Sequence, residues 1–553
     1  MGAEPVTGPE KKTRPSWKLK PPHDKNTQGI VVSGFSKLPS AVAPFLLCDW
    51  PENGPNSPAS AGKGAWLKTL NTVAPITDAD GKDPRAATIA FTWTGLQKLG
   101  LSADALAKFS PPFREGMYQE DRLRRLGDKV DDKWRGTVIP DGPRWSANIP
   151  ARKENRTQES ERVIADVGSP PERDEREVVT PKTVHALLLL YYDEDKDPAA
   201  KDWADTVEQA LARDGVKVVH RLLDLRLDKN DNREHFGFAD GLSQPIPYDE
   251  KSGPETASDS LVLIDGRPAK RDAWHGVPLG EILLGHTNAH HEKAPGPMVR
   301  DDPQWRELGL EADGAPEGFL NLGLDGSYMV VRELHQHVAA FWKSLETGAA
   351  SIRAHDPSAT HVTADWLAER VIGRNSDGHL LCPSGTLAVD ECDQPENAFG
   401  FMKTDPHGMG CPPGSHVRRA NPRDGLAKDP ASAQTLLDAA NNHRILRRGR
   451  KYGTTLTSRD QDDGAERGLL FICLNTDIAR QFEFVQQTWV LNQNFATLFD
   501  ETDPLVGPKG MFTIREHEQP LRRRVKVETF VQSAGGEYFF LPSIPALKYL
   551  ATL

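Results

Sequence analysis

The run His185-Ala-Leu-Leu-Leu-Leu-Tyr-Tyr192 constrains the chain more than any other stretch. It is the longest apolar run and is far shorter than the ~20 residues a membrane helix needs, so nothing here is expected to span a bilayer. It reads as a strand, followed by an amphipathic helix around Trp203, Val207 and Leu211, a stop at Gly215, and a second strand over Val216 to Leu227. A strand–helix–strand unit of this kind calls for an α+β architecture.

Similar signals recur on both sides. Ala87 to Trp93 suggests a strand leading into a short helix over Gly95 to Leu101. Further strands are expected at Glu281 to Gly285, Ser327 to Arg332 and Gly468 to Leu474, with helices near Val338 to Leu345 and Phe482 to Trp489. No repeat is visible in the sequence, so a structural duplication is inferred only from the recurring pattern. Residues 1–24 read as a flexible N-terminal arm, with folding expected from about Gln28. Residues Ala151 to Lys182 are crowded with charge and broken by Pro170-Pro171, which marks a surface insertion. The segments Gly348 to His379 and Asp424 to Asn442 carry mixed helix and loop signals.

At 553 residues and 37% hydrophobic, the chain can bury a large core in two to four structural units. The net charge of −11 disfavours a nucleic-acid partner, and a homo-oligomer is allowed. The N-terminus has charges and prolines where a signal peptide would be apolar, so the expected location is cytoplasmic. Five cysteines without a Cys-x-x-Cys pair argue against a disulfide framework or structural zinc.

Several short stretches carry chemistry. Gly237-Phe-Ala-Asp-Gly241 sets one carboxylate, Asp240, between glycines that permit positive φ or close approach of a flat ligand; its plain reading is a turn. His416 sits in the Pro/Gly frame Gly410-Cys-Pro-Pro-Gly-Ser-His416 beside Arg418, Arg419 and Arg423, which suits a neutral imidazole ligand next to an anion. In His443-Arg-Ile-Leu-Arg447, Ile445 and Leu446 suggest a strand carrying one guanidinium inward, whereas a solvated face or phosphate patch is the plainer reading of Arg444 to Lys451. Asp477 and Asp503 are both candidates to orient a histidine.

Taken in order, these stretches resemble the dye-decolorising peroxidase family of haem peroxidases, in its longer-chain form. The likeness rests on Gly237 to Gly241, Ser415 to Arg423, Ile445 to Arg447 before Gly449, Gly468 to Phe471 and Asp503 to Gly507, and extends more weakly from about residue 28 to Ser543. It implies duplicated ferredoxin-like units with antiparallel sheets, residues 25–230 and 231–553, enclosing haem b. It further implies His416 as the iron ligand, Asp503 behind it, Arg423 on a propionate, Gly237 and Gly241 against the porphyrin, and Leu469 and Phe471 as pocket walls. Asp240 would shuttle the peroxide proton with Arg447 stabilising the departing oxygen, giving an oxoferryl intermediate that oxidises aromatic, phenolic or dye-like donors one electron at a time. With the arginine charge dominant, Asp240 would stay ionised into mild acid. A non-catalytic haem-binding or haem-handling protein is the alternative. A metal-dependent hydrolase built from Glu234, His235, Asp240 and His416 is a third reading.

Overall fold

The computed structural model describes residues 16–50, 62–130, 133–140, 142–147, 181–227, 233–249, 260–381, 399–516 and 521–553. The charged insertion expected at 151–182 falls almost entirely outside them, as do residues 1–15 of the expected arm.

Four strands of the first half are β1 (Ser40–Cys48), β2 (Arg85–Phe91), β3 (Ala186–Tyr192) and β4 (Val216–Arg226). Helix α1 (Trp66–Val73) connects β1 to β2, and α2 (Trp203–Arg213) connects β3 to β4. The second half supplies β5 (Ser327–Gln336), the short β6 (Leu446–Arg447) and β7 (Arg450–Tyr452), β8 (Gly468–Asn475) and β9 (Val531–Leu541). Helix α3 (Val338–His355) follows β5, and two π-helical segments, Ala479–Glu483 and Val485–Val490, lie between β8 and β9.

These nine strands form one sheet, every pair in it antiparallel, in the order β5-β9-β2-β3-β1-β4-β7-β8-β6, and β5 also pairs with β8. The sheet therefore closes on itself. The halves meet through single bridges, Phe540 to Phe91 and Lys451 to Arg226. Within the first half the spatial order is β2-β3-β1-β4, and in the second it is β6/β7-β8-β5-β9, so each half repeats the same arrangement of its successive strands.

The alternation of strand side chains accounts for the run of leucines. Leu187, Leu189 and Tyr191 join the barrel interior with Phe45, Ile472 and Phe539, while Leu188 and Leu190 face outward beneath Trp66, Trp203 and Leu211 of the covering helices. Both faces of β3 are buried, which is why its sequence has no polar alternation.

Three expectations are corrected. Trp17–Leu19 is a strand paired with Val262–Ile264, and His23–Asn26 is helical, so regular structure is present well before Gln28 and the arm cannot extend to residue 24. Glu281 to Gly285 is not a strand: Leu279–Glu281 forms a 3-10 turn, and the leucines that follow are buried by packing, not by sheet pairing. Arg444 to Lys451 is not a solvated patch either. Arg448 donates to the carbonyls of Ile30 and Val31, and Arg450 to those of Phe35 and Leu38. Among the described residues no helix is long and apolar enough to cross a membrane.

Candidate active site

The outer face of the second-half sheet forms one wall of a cavity of about 310 Å³. Strand register selects that wall. Arg332 of β5 lies opposite Phe471 of β8, Leu334 opposite Leu469, and Arg447 of β6 opposite Cys473. Residues two apart share a face, so Arg332, Leu334, Leu469, Phe471 and Arg447 all reach the cavity, while Leu470 and Ile472 turn into the barrel. The remaining walls come from Phe236, from Phe238 to Ser243, from the short helix α4 (His416–Ala420), and from the π-helical turns that bring in Phe482, Val485 and Trp489.

His416 opens α4 directly after Pro412-Pro413-Gly414-Ser415, and its Nδ1 is 2.9 Å from Oδ2 of the fully buried Asp503. Asp503 is held in turn by the amides of Leu505 and Val506, which donate to Oδ1 at 2.9 and 3.0 Å. This anchors the ring and leaves Nε2 for the cavity. Burial alone would lower the imidazole pKa, but the Asp503 charge and hydrogen bond outweigh it and raise the value. Asp477 plays no such part.

Arg447 donates from Nη1 to Oδ1 of Asp240 at 2.9 Å. Its own backbone is tied on both sides by Gln244, which accepts from the Arg447 amide and donates to its carbonyl. Asp240 is enclosed by protein but faces the void, with 39% of its side chain accessible. Burial pushes its pKa up. The Arg447 charge, the Gly241 amide and the Arg447 hydrogen bond outweigh that and hold the carboxyl below its ordinary value.

Arg423 is 1% exposed, donates from Nη1 to the Phe399 carbonyl at 3.0 Å, and has no hydrogen-bond partner at Nη2. Burial, reinforced by the nearby charges of Arg444 and Arg374, pulls its pKa well below the usual arginine value. Arg444 is also buried and donates to neutral groups, the Trp274 carbonyl and the Ser243 hydroxyl. Two guanidiniums buried against one cavity, one with an orphaned nitrogen, make a cradle for anionic groups on a ligand.

Asp240, Gly241, His416, Arg423, Arg447, Leu469 and Phe471 thus share one cavity, with Asp503 behind it. Gly237 does not line it. Its φ of +96° serves the turn, and the space beside its α-carbon is open. Gly241 also has positive φ, +67°. The hydrolase grouping does not assemble: His235 Nε2 bonds the Tyr452 carbonyl, and among the described residues no metal-holding group includes Glu234, His235, Asp240 or His416.

Sequence reading placed Glu234 only in the hydrolase grouping and Arg444 only in the basic run, and missed the pair Arg332–Asp128 at 2.6 Å. Glu234 accepts from the amides of Phe236 and Phe238 and from Gln336, and burial raises its pKa to about 7. Its place directly before the Gly237–Gly241 turn was the available signal.

No family model matches the chain. Dye-decolorizing peroxidase msp1 of Mycetinis scorodonius is 28% identical over 499 residues, 84% of this chain and 76% of that protein. A crystal structure of a DyP-type peroxidase from Anabaena sp. superposes with a TM-score of 0.63 at 23% identity, covering 96% of this chain and 94% of that one. A dye-decolorizing peroxidase solved in complex with 2,6-dimethoxyphenol gives 0.63 at 22% identity over 97% of this chain and 100% of that one. The protein is a peroxidase, an oxidoreductase acting on peroxide. More narrowly, it is a homologue of the dye-decolorising peroxidases.

Proposed function

We propose that the cavity holds haem b, and that the chain uses hydrogen peroxide to oxidise small phenolic or dye-like aromatic donors in one-electron steps. The observation that carries this reading is the convergence of a carboxylate-backed histidine and an arginine-paired aspartate on one largely apolar cavity. The relative solved with 2,6-dimethoxyphenol supports a phenolic donor class. The repeated strand order supports reading residues 25–230 and 231–553 as duplicated ferredoxin-like units.

The residues fit the group. His416 Nε2 would be the iron ligand, and the unpartnered Nη2 of Arg423, with Arg444 beside it, would bind its carboxylates. When bound, haem iron supplies the electron-transfer chemistry that side chains cannot. Asp503 holds the His416 Nδ1 proton and fixes the ring, increasing its basicity as a ligand. Asp240 takes a proton from peroxide and returns it to the departing oxygen, and Arg447 stabilises the negative charge that develops there. Leu469 and Phe471 keep that side narrow and poor in water.

Purified protein should show a Soret band that co-elutes with it on gel filtration and disappears in His416→Ala, together with peroxide-dependent oxidation of 2,6-dimethoxyphenol. A colourless protein after haem addition would overturn the proposal. A stable band with no turnover would point instead to haem binding without catalysis.

Arg423→Leu separates binding from folding. A charge-assisted hydrogen bond is worth ~1.5–3 kcal/mol, so haem affinity should fall about 10- to 100-fold. The haem-free variant should be no less stable than the parent, because a buried guanidinium with an empty nitrogen costs free energy until its ligand arrives. Haem titration and urea unfolding of both apoproteins check the two signs.

A further inference from the structure

Outside this cavity, one group of side chains converges without a role in the proposed reaction. Nδ1 of His23 and Nε2 of His286 lie 2.8 and 2.7 Å from the same Oδ1 of Asp325. The ligand atoms of the three residues lie within 4.8 Å of one another, and this is the one such group among the described residues. Asp325 and His286 are buried, and His23 closes the site from the solvent side with 16% of its side chain accessible. The three come from distant parts of the chain: His23 from the helix His23–Asn26, His286 from the loop after the 3-10 turn, and Asp325 from two residues before β5. Asp325 holds a left-handed φ of +61°, a conformation a non-glycine residue adopts only when its surroundings require it.

We propose that His23, His286 and Asp325 bind a divalent first-row cation of the zinc class, which fastens the N-terminal helix to the base of β5. Two imidazoles and a carboxylate form the donor set such ions prefer. At metal–ligand distances of ~2.0–2.1 Å, tetrahedral ligand atoms stand roughly 3.3 Å apart. The present N···O distances need widen by only about half an ångström, which side-chain rotation supplies. Two neutral imidazoles and one carboxylate leave a bound dication with one excess positive charge, and Glu311 and Asp313 lie close enough to His23 to act on it electrostatically. His23 is partly accessible, so a water could complete a fourth position on its side, and the three protein ligands from distant segments are what would hold the chain together. Asn26, which donates to Asp325 Oδ2 at 3.2 Å, orients the carboxylate from outside.

The test uses untagged, chelator-treated full-length protein titrated with zinc chloride. One equivalent should bind, raising the melting temperature by several degrees. Both effects should be lost in His286→Gln and in His23→Gln, and retained in His416→Ala, which excludes binding at the haem ligand. If Asp325→Asn fails to fold, the two histidine variants still decide the matter. Absence of stoichiometric binding, or binding undiminished in both histidine variants, would overturn the proposal and leave a hydrogen-bonded triad.

Discussion

Replacing Asp240 by asparagine is expected to slow the reaction with peroxide about 10²- to 10⁴-fold, the usual range for removing a positioned proton-transfer group. The substitution keeps size and leaves Arg447 anchored, since Gln244 bonds both its amide and its carbonyl. The loss would therefore be chemical, not structural. In the parent protein the Asp240 pKa lies below its ordinary value of ~3.9, because Arg447 and the Gly241 amide outweigh burial. Asp240 is a base only when ionised, so the rate should stay flat from neutral pH into mild acid and fall only below the normal carboxylate range. Arg447→Leu removes the main opposing charge but leaves the enclosure. The Asp240 pKa must then rise, and the acid limb should move to higher pH as the maximum rate falls. Stopped-flow measurement of the peroxide step against pH distinguishes the roles. Parent-like rates in both variants would sink this assignment.

Replacing Glu333 by glutamine should cost stability on the order of 3 kcal/mol at neutral pH. Glu333 is 1% exposed on the barrel-facing side of β5 and accepts from Trp145 Nε1 at 2.7 Å, with His220 Nε2 at 2.8 Å and His335 Nε2 at 3.5 Å. Burial pushes its pKa up, but the hydrogen bond from His220, the proximity of His335, the His220 charge and the Trp145 hydrogen bond hold it at about 2. A carboxyl depressed in the folded state, against ~4.3 unfolded, stabilises fully above the unfolded value and loses that contribution as pH falls toward the folded one. The gap between parent and variant should therefore be unchanged from pH 7 to about 5, and narrower by about 1 kcal/mol near pH 3.5. Urea unfolding at these pH values reads it directly. Arg332 and Leu334, the neighbours of Glu333 on the strand, face the cavity, so haem affinity should change far less than stability.

Much of the site was legible because its parts are local. Asp240 stood out between glycines, His416 in its Pro/Gly frame, and Arg447 at the end of a short apolar stretch, each a feature of a few consecutive residues. Arg444 was misread for the opposite reason. A run of arginines looks solvated in one dimension, and nothing adjacent reveals that each guanidinium is spent on a distant carbonyl or a cavity. Glu281 to Gly285 was misread as a strand because an apolar run records burial, not whether a neighbouring strand is there to pair with it.

The amino-acid pattern was enough for the α+β class and the strands from β3 to β4, since backbone propensity and side-chain periodicity act over one or two turns, while the candidate site residues were named through the family resemblance. Closure of the sheet, the register that points Arg332, Arg447, Leu469 and Phe471 at one cavity, and the orphaned nitrogen of Arg423 all came from the folded molecule. Each depends on residues tens to hundreds of positions apart being brought within a few ångströms. That proximity is set by burial of the whole core, to which no short stretch contributes enough free energy to reveal its partner.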